Sequence, residues 1–250
     1  MIIDADTHIT PTGEGMFIEE LIASMDKAGV DKALTWLQPP YMRNIEKLNE
    51  YVYKATKAYP DRILGFGWAD PNFGFEKAKN CVKTCIYEYG FFGVKLNGCQ
   101  NSFYIDNPKI VLPIIDEIAK TGKILALHVG ADGYEYTHPF RVAKIARLYP
   151  EMNILMVHMG GAGIPNLSKA CVEIAQEYKN ITLIGSTISP KDVLYAIKEL
   201  GAQRICFGSD SPFEFMHVEV AKYQALLDGE VSEADKHDIM AGNIMRLLKL

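Results

Sequence analysis

The chain has 250 residues, 48% of them hydrophobic, and a formal net charge of -5 at pH 7. That length and composition supply one large core and exclude a disordered or fibrous protein. With no block of Lys or Arg, nucleic acid and anionic membranes are disfavoured as main partners, and no apolar run approaches the roughly 20 residues of a membrane span. A small-molecule substrate is the expectation. Five cysteines, an odd number without a recurring framework, suit a reducing compartment, and a first strand with no charged leader before it suits the cytoplasm. Cys81 and Cys85, four apart on an expected helix, read as thiols.

Along the chain, short β-branched or aromatic runs alternate with amphipathic stretches. The runs end near His8, Gln38, Ala69, Leu96, His128, His158, Gly185 and Asp210, successive ends lying 25–32 residues apart. Each interval fits one strand plus one helix, and eight such units predict a (β/α)8 TIM barrel of the α/β class, read as one domain over 1–250. A doubly wound open sheet competes, but it usually carries a Gly-rich phosphate turn after its first strand, where this chain has DADTHITPTGEG. GMFIEELIASMDKAG, PKIVLPIIDEIAKTG and PNLSKACVEIAQEYK place apolar residues three and four apart, with Gly29 and Gly122 at expected C-caps. Pro108, Pro139, Pro165, Pro190 and Pro212 each precede a helical pattern, where a residue without an N–H is tolerated. The final SEADKHDIMAGNIMRLLKL predicts one or two closing helices.

In a parallel barrel, chemistry collects where strands end and alternate side chains point inward. Asp6 and His8 are two apart and share the inward face, while His128, His158 and Asp210 close the fifth, sixth and eighth runs. Three histidines and two aspartates converging there predict a metal site, since mixed nitrogen and oxygen donors suit zinc and accept manganese or iron. Asp4, one layer deeper, is expected to be a structural hydrogen-bond acceptor. Gly160 and Gly161, after His158, predict a tight turn.

Six motifs, IIDADTH, GFGWADP, GFFGVKL, LALHVG, MVHMGG and FGSDSPF, together resemble the amidohydrolase superfamily along essentially the whole chain. The similarity is to the amidohydrolase-related branch that includes aminocarboxymuconate-semialdehyde decarboxylase. That family's first motif is commonly D-x-H-x-H, and here Asp6 stands where the first metal-binding histidine would. The extra carboxylate hardens the donor set and makes manganese a competitor to zinc. The resemblance implies Asp6, His8, His128 and Asp210 as ligands to one divalent ion, zinc foremost, and His158 as an acid/base or substrate-polarising group. Lys95 falls where binuclear members hold a carboxylated bridging lysine, but the mononuclear branch also has a basic residue there. Lys95 is therefore expected to contact a substrate anion or line the pocket. Arg43, in QPPYMRN, is a second candidate for a substrate carboxylate, against the alternative of a solvent-facing helix-start arginine. Trp36, Trp68, Asn97, Gln100, Tyr134 and Tyr136 are expected on or near the same mouth. A homodimer through barrel helices follows from the resemblance alone.

The leading functional expectation is hydrolysis of a small amide, ester or lactone by a metal-activated water, with Asp210 or His158 taking the proton. The alternative is non-oxidative decarboxylation of a small carboxylic acid, which the same residues could serve. Arg43 and Lys95 tilt either reading toward an acidic substrate. A Schiff-base aldolase using Lys95 and a scaffold that has lost catalysis are the lesser alternatives.

Overall fold

The apolar runs become strands covered on both faces, which is why Ile, Leu and Val dominate them without a polar alternation. The structure, a computed structural model, describes residues 1–13, 15–38, 44–130 and 132–250. Among these, the strand segments are β1 (Ile3–Ile9), β2 (Lys32–Leu37), β3 (Ile63–Gly65), β4 (Gly67–Trp68), β5 (Gly93–Leu96), β6 (Ile124–His128), β7 (Ile154–Val157), β8 (Ile181–Ile184) and β9 (Ile205–Cys206). Neighbouring strands pair in parallel throughout. β3 and β4 are two parts of one barrel strand split at Phe66, whose N–H donates to the Thr35 carbonyl at 2.9 Å. Closure comes from β1 meeting the segment that follows β9. Ala5 N–H donates to Phe207 O (3.0 Å), Asp210 N–H to Asp6 O (2.9 Å) and His8 N–H to Ser211 O (2.8 Å).

The predicted run ends fall within a residue of the observed strand ends for the first seven units. The eighth differs: β9 stops at Cys206, and Asp210 lies in the loop beyond it. That loop turns to pair with β1, so Asp210 is positioned by the first strand and not by its own.

The helices form the outer layer. Ile18–Ala28 buries Ile18, Leu21 and Met25, the stripe its spacing predicted, and ends at Gly29. Pro139 and Pro190 stand at the first helical position. Pro108 and Pro212 instead sit in turns ahead of their helices. After Pro108 the helix waits until Leu112–Lys120, because the Asn107 side chain accepts from the Lys109 and Ile110 N–H groups and holds the intervening residues as a turn. The closing stretch is one helical run, Glu233–His237, a π-helical turn Asp238–Gly242, and Asn243–Leu248. It docks on β9 through Asn243 Nδ2, which donates to Ala202 O and Ile205 O, both at 2.7 Å. Among the described residues no helix is long and apolar enough to cross a membrane.

Candidate metal centre

One residue too many in β1 shapes the site. Asp4 lies opposite Ala33 but Thr7 lies opposite Thr35, so the register shifts between them. Thr7 Oγ1 secures this bulge, donating to Leu34 O at 3.1 Å and lying 2.9 Å from Thr35 Oγ1. Bulges bend a strand and re-aim its side chains. Below it, Asp4 Oδ1 accepts from the N–H groups of Asp6 (3.0 Å) and Ser209 (2.9 Å), tying β1 to the loop after β9. Burial pushes the Asp4 carboxyl up to about 7 in spite of those hydrogen bonds.

Asp6, His8 and Asp210 each offer a donor atom within 4.8 Å of the other two, a group able to hold a divalent ion. His8 Nε2 is 3.4 Å from Asp6 Oδ1 and 3.3 Å from Asp210 Oδ1. Its Nδ1 lies 2.9 Å from the Leu37 carbonyl, which only accepts, so Nδ1 carries the proton and Nε2 keeps the lone pair, which here accepts from Trp36 Nε1–H at 3.0 Å. Metal-binding histidines are commonly oriented this way. Asp6 Oδ1 is buried and has no hydrogen-bond partner in the described structure. An unpaired carboxylate oxygen beside an imidazole nitrogen and a second carboxylate is what a hard or borderline cation would fill.

The electrostatics agree. Burial opposes ionisation of Asp6, but the Lys95 charge and the neighbouring His8 imidazole hold its carboxyl well below the usual carboxylate range. Burial and Lys95 likewise oppose a proton on His8, yet Asp210 and Asp6 outweigh them and the pKa of His8 rises. The cluster therefore attracts positive charge, which a proton or a metal ion supplies.

Lys95 is enclosed beside Asp6. It is 0% exposed, with Nζ 3.8 Å from Asp6 Oδ1, 3.8 Å from the Trp36 ring centroid and 5.4 Å from that of Trp68. Burial pushes its pKa down against the pull of Asp6. It is not among the residues that line the cleft, and its neighbours are Asp6 and the two indoles.

His158 follows β7 in a turn with positive φ at His158 itself (66°) and at Met159 (45°), a conformation that costs of order 1–3 kcal/mol per residue. Gly130 makes room for that turn, since a Cβ there would lie 1.8 Å from Gly160 O. His158 Nδ1 is 3.0 Å from Ser186 Oγ and 3.2 Å from Thr187 Oγ1. Ser186 Oγ gives its proton to Asp6 Oδ2 (2.6 Å) and Thr187 Oγ1 to Ser186 O (2.7 Å). Both hydroxyls must then accept from His158 Nδ1–H, which leaves Nε2 as the basic nitrogen of the neutral ring.

The structure does not bring His128 into the three-residue group. Its Nε2 pairs with Asp132 Oδ1 at 2.9 Å, and its ring packs edge-on against His158 at 4.7 Å. Burial pushes the His128 pKa down to about 4 although Asp132 pulls the other way. The bond to His128 holds the half-exposed Asp132 carboxyl below its usual range.

His8, His128, His158 and Asp210 line one cleft of about 340 Å³, joined by Asn97, Gln100, Asp132 and Phe213. Trp36 and Trp68 are buried below it; Tyr136 packs on Tyr104 and Tyr134 is exposed, and neither lines it. Arg43 lies outside the described residues. Asp132, Ser186, Thr187 and Phe213 are not among the site residues expected from the sequence. Asp132 had a signal, a carboxylate four residues after a strand-end histidine, whereas Ser186 and Thr187 have none apart from their place after a strand.

The amidohydrolase family model matches residues 3–250. The chain belongs to the amidohydrolase family. Gamma-resorcylate decarboxylase of Rhizobium sp. (strain MTP-10005) is 25% identical over 288 residues, spanning 90% of this chain and 85% of that enzyme. Dihydroxybenzoic acid decarboxylase from Polaromonas sp. JS666, solved with manganese and the inhibitor 2-nitroresorcinol, is similar with a TM-score of 0.78 at 20% identity, over 100% of this chain and 97% of its own. 5-Carboxyvanillate decarboxylase from Novosphingobium aromaticivorans DSM 12444, solved with manganese and 4-hydroxy-3-methoxy-5-nitrobenzoic acid, has a TM-score of 0.78 at 18% identity, over 100% and 96%. These relatives of an amidohydrolase-family chain overturn hydrolysis as the leading reading and favour its alternative, decarboxylation. The motifs could not separate the two because both chemistries draw on the same metal ligands and acid/base groups. Zinc, the metal favoured from sequence, gains no support from neighbours that carry manganese.

Proposed function

We propose that this protein is a manganese-dependent, non-oxidative decarboxylase of a small aromatic carboxylic acid. The observation that carries the reading is the full-length likeness to decarboxylases of hydroxylated benzoic acids, on a chain whose cleft joins a metal-binding group to His158. Asp6, His8 and Asp210, with His128 beside them, would hold the ion, and two carboxylates among the donors suit manganese. When bound, the ion supplies positive charge for the anionic groups of the substrate.

The rest is the work of this chain's side chains. Phe213, edge-on to His8 at 5.5 Å, gives the substrate ring an apolar wall, and Asn97 and Gln100 offer neutral hydrogen bonds. Loss of carbon dioxide from an aromatic acid requires a proton on the ring carbon that bears the carboxylate, and then cleavage of the carbon–carbon bond. Asp210, which lines the cleft, is assigned as the group that first takes the proton of a substrate hydroxyl and then delivers it to this carbon. Asp6 is unsuited to it, since Lys95 and His8 keep it ionised. His158, held through Nδ1, polarises a substrate hydroxyl through Nε2. The reading takes residues 1–250 as one catalytic unit working in the cytoplasm, where the five free cysteines stay reduced.

The test is to supply manganese-loaded protein with gamma-resorcylate and 5-carboxyvanillate and to measure carbon dioxide and the decarboxylated arene. His158→Ala is expected to lose about 10²–10⁴-fold in kcat while retaining its metal. Ester or lactone hydrolysis with no carbon dioxide from either acid would overturn the reading.

A further inference from the structure

A second cavity, of about 250 Å³, lies between the helices Ile45–Ala58 and Phe75–Lys83, where Cys81 and Cys85 line it with Asn49, Glu46 and Tyr89. Cys81 is in the last turn of helix Phe75–Lys83 and Cys85 in the π-helical turn Thr84–Glu88 that continues it. Spacing of four residues puts both on one helix face. Both thiols meet the backbone of one residue: Cys81 Sγ donates to Trp68 O at 3.3 Å, and Cys85 also bonds to the Trp68 backbone. Gly67 admits the second sulfur, since a Cβ there would lie 2.6 Å from Cys85 Sγ.

The two thiols are not equivalent. Cys81 is half-buried and open to the cavity, and Asn49 Nδ2 donates to its Sγ at 3.4 Å. The bond from Cys85 is the main influence that lowers its pKa. Cys85 is 1% exposed, and its bond to Cys81 together with burial pushes it well up. The more accessible sulfur thus opens on the cavity with a fully buried thiol behind it, the usual division between attacking and resolving cysteines.

We propose that Cys81 and Cys85 form a hydroperoxide-sensitive pair that closes to a Cys81–Cys85 disulfide. In the first step the Cys81 thiolate attacks one peroxide oxygen. A sulfur–oxygen bond forms, the oxygen–oxygen bond breaks, and the departing alkoxide or hydroxide takes up the proton that the thiol released. Cys81 is oxidised to the sulfenic acid as the peroxide is reduced to an alcohol or water. In the second step the Cys85 sulfur attacks the Cys81 sulfur, the sulfur–sulfur bond forms, and hydroxide leaves with the Cys85 proton as water.

The experiment is peptide mapping of the full, folded chain after brief hydrogen peroxide treatment and alkylation of the remaining thiols. Trypsin cuts after Lys83, so a disulfide would hold two otherwise separate peptides together. The expected result is that linked pair and the loss of two hydrogens in intact mass, reversed by dithiothreitol. It should appear on the order of tenfold or more faster than oxidation of Cys99, whose thiol burial pushes up to about 12. Cys85→Ser should leave Cys81 with a single added oxygen that dimedone traps. Cys81 reacting no faster than Cys99, or oxidised Cys81 that never links to Cys85 in the unmodified chain, would overturn the proposal.

Discussion

Where β1 meets the loop after β9, Asp4, Asp6, His8 and Asp210 are all 9% exposed or less, and backbone bonds, a bulge and a buried lysine hold them in place. Across the same cleft, His128 is paired with Asp132, a carboxylate about half exposed. The first side is assembled before any ligand arrives and concentrates charge in a dry setting. The second is held by hydrogen bonds that water can reach, from the neutral His128 ring and from Gln100 Nε2 to the Asp132 carboxylate. A site that must grip a metal while admitting a substrate gains from this division, because rigid ligands keep the ion and a looser flank lets the substrate in.

The comparison breaks most directly at Asp6. Asp6→Ala leaves the Lys95 ammonium buried without its carboxylate, and losing one partner of a buried pair costs about 3–5 kcal/mol. Urea denaturation should show that loss, and plasma mass spectrometry should show manganese uptake abolished. Adding Lys95→Met should restore most of the stability and none of the metal; an Asp6→Ala protein as stable as the parent would mean that the pair does not hold this side together.

Asp4 gives an effect tied to pH. Its carboxyl is raised from 3.8 to about 7 in the fold, so between those values the folded chain keeps a proton that the unfolded chain has released. Its contribution to stability is whole below the lower value and is lost as pH rises through the upper one, by at most about 1.4 kcal/mol per pH unit. Asp4→Asn, which cannot titrate, should gain stability relative to the parent as pH rises across that window in denaturation curves. A difference between the two that stays constant with pH would remove Asp4 from this account.

The smallest effect belongs to the open flank. Asp132→Asn should change stability by less than about 1 kcal/mol, as for other solvent-reached pairs, and should leave manganese content unchanged while moving KM for the aromatic acid. A stability loss comparable with that of Asp6→Ala would erase the distinction between the two sides.

Much of this was legible in the residues. Asp6, His8, His128 and His158 all sit at or near the mouth because apolar runs that end in polar residues at a steady spacing leave few alternatives to parallel strands capped by loops. Asp210 also arrives there, though by another route, since the loop after β9 borrows β1 as its partner. Lys95 could not be placed from its motif. Whether a strand-end lysine reaches a ligand or turns under it depends on Trp36 and Trp68, which come from other strands. Nor could the roles of Ser186 and Thr187 be foreseen, because a hydroxyl after a strand says nothing about which imidazole it will meet.

The sequence by itself determined the alternation of strand and helix, the barrel, and the set of side chains carried to its mouth, because periodicity and strand ends are local properties written in consecutive residues. Only the tertiary structure decided which of them share charge. The bulge between Asp4 and Thr7, the positive φ of His158, Thr187 and Asp210, and the enclosure of Lys95 all arise where distant segments pack, and such contacts, with the dielectric they create, have no signature in any one stretch of chain.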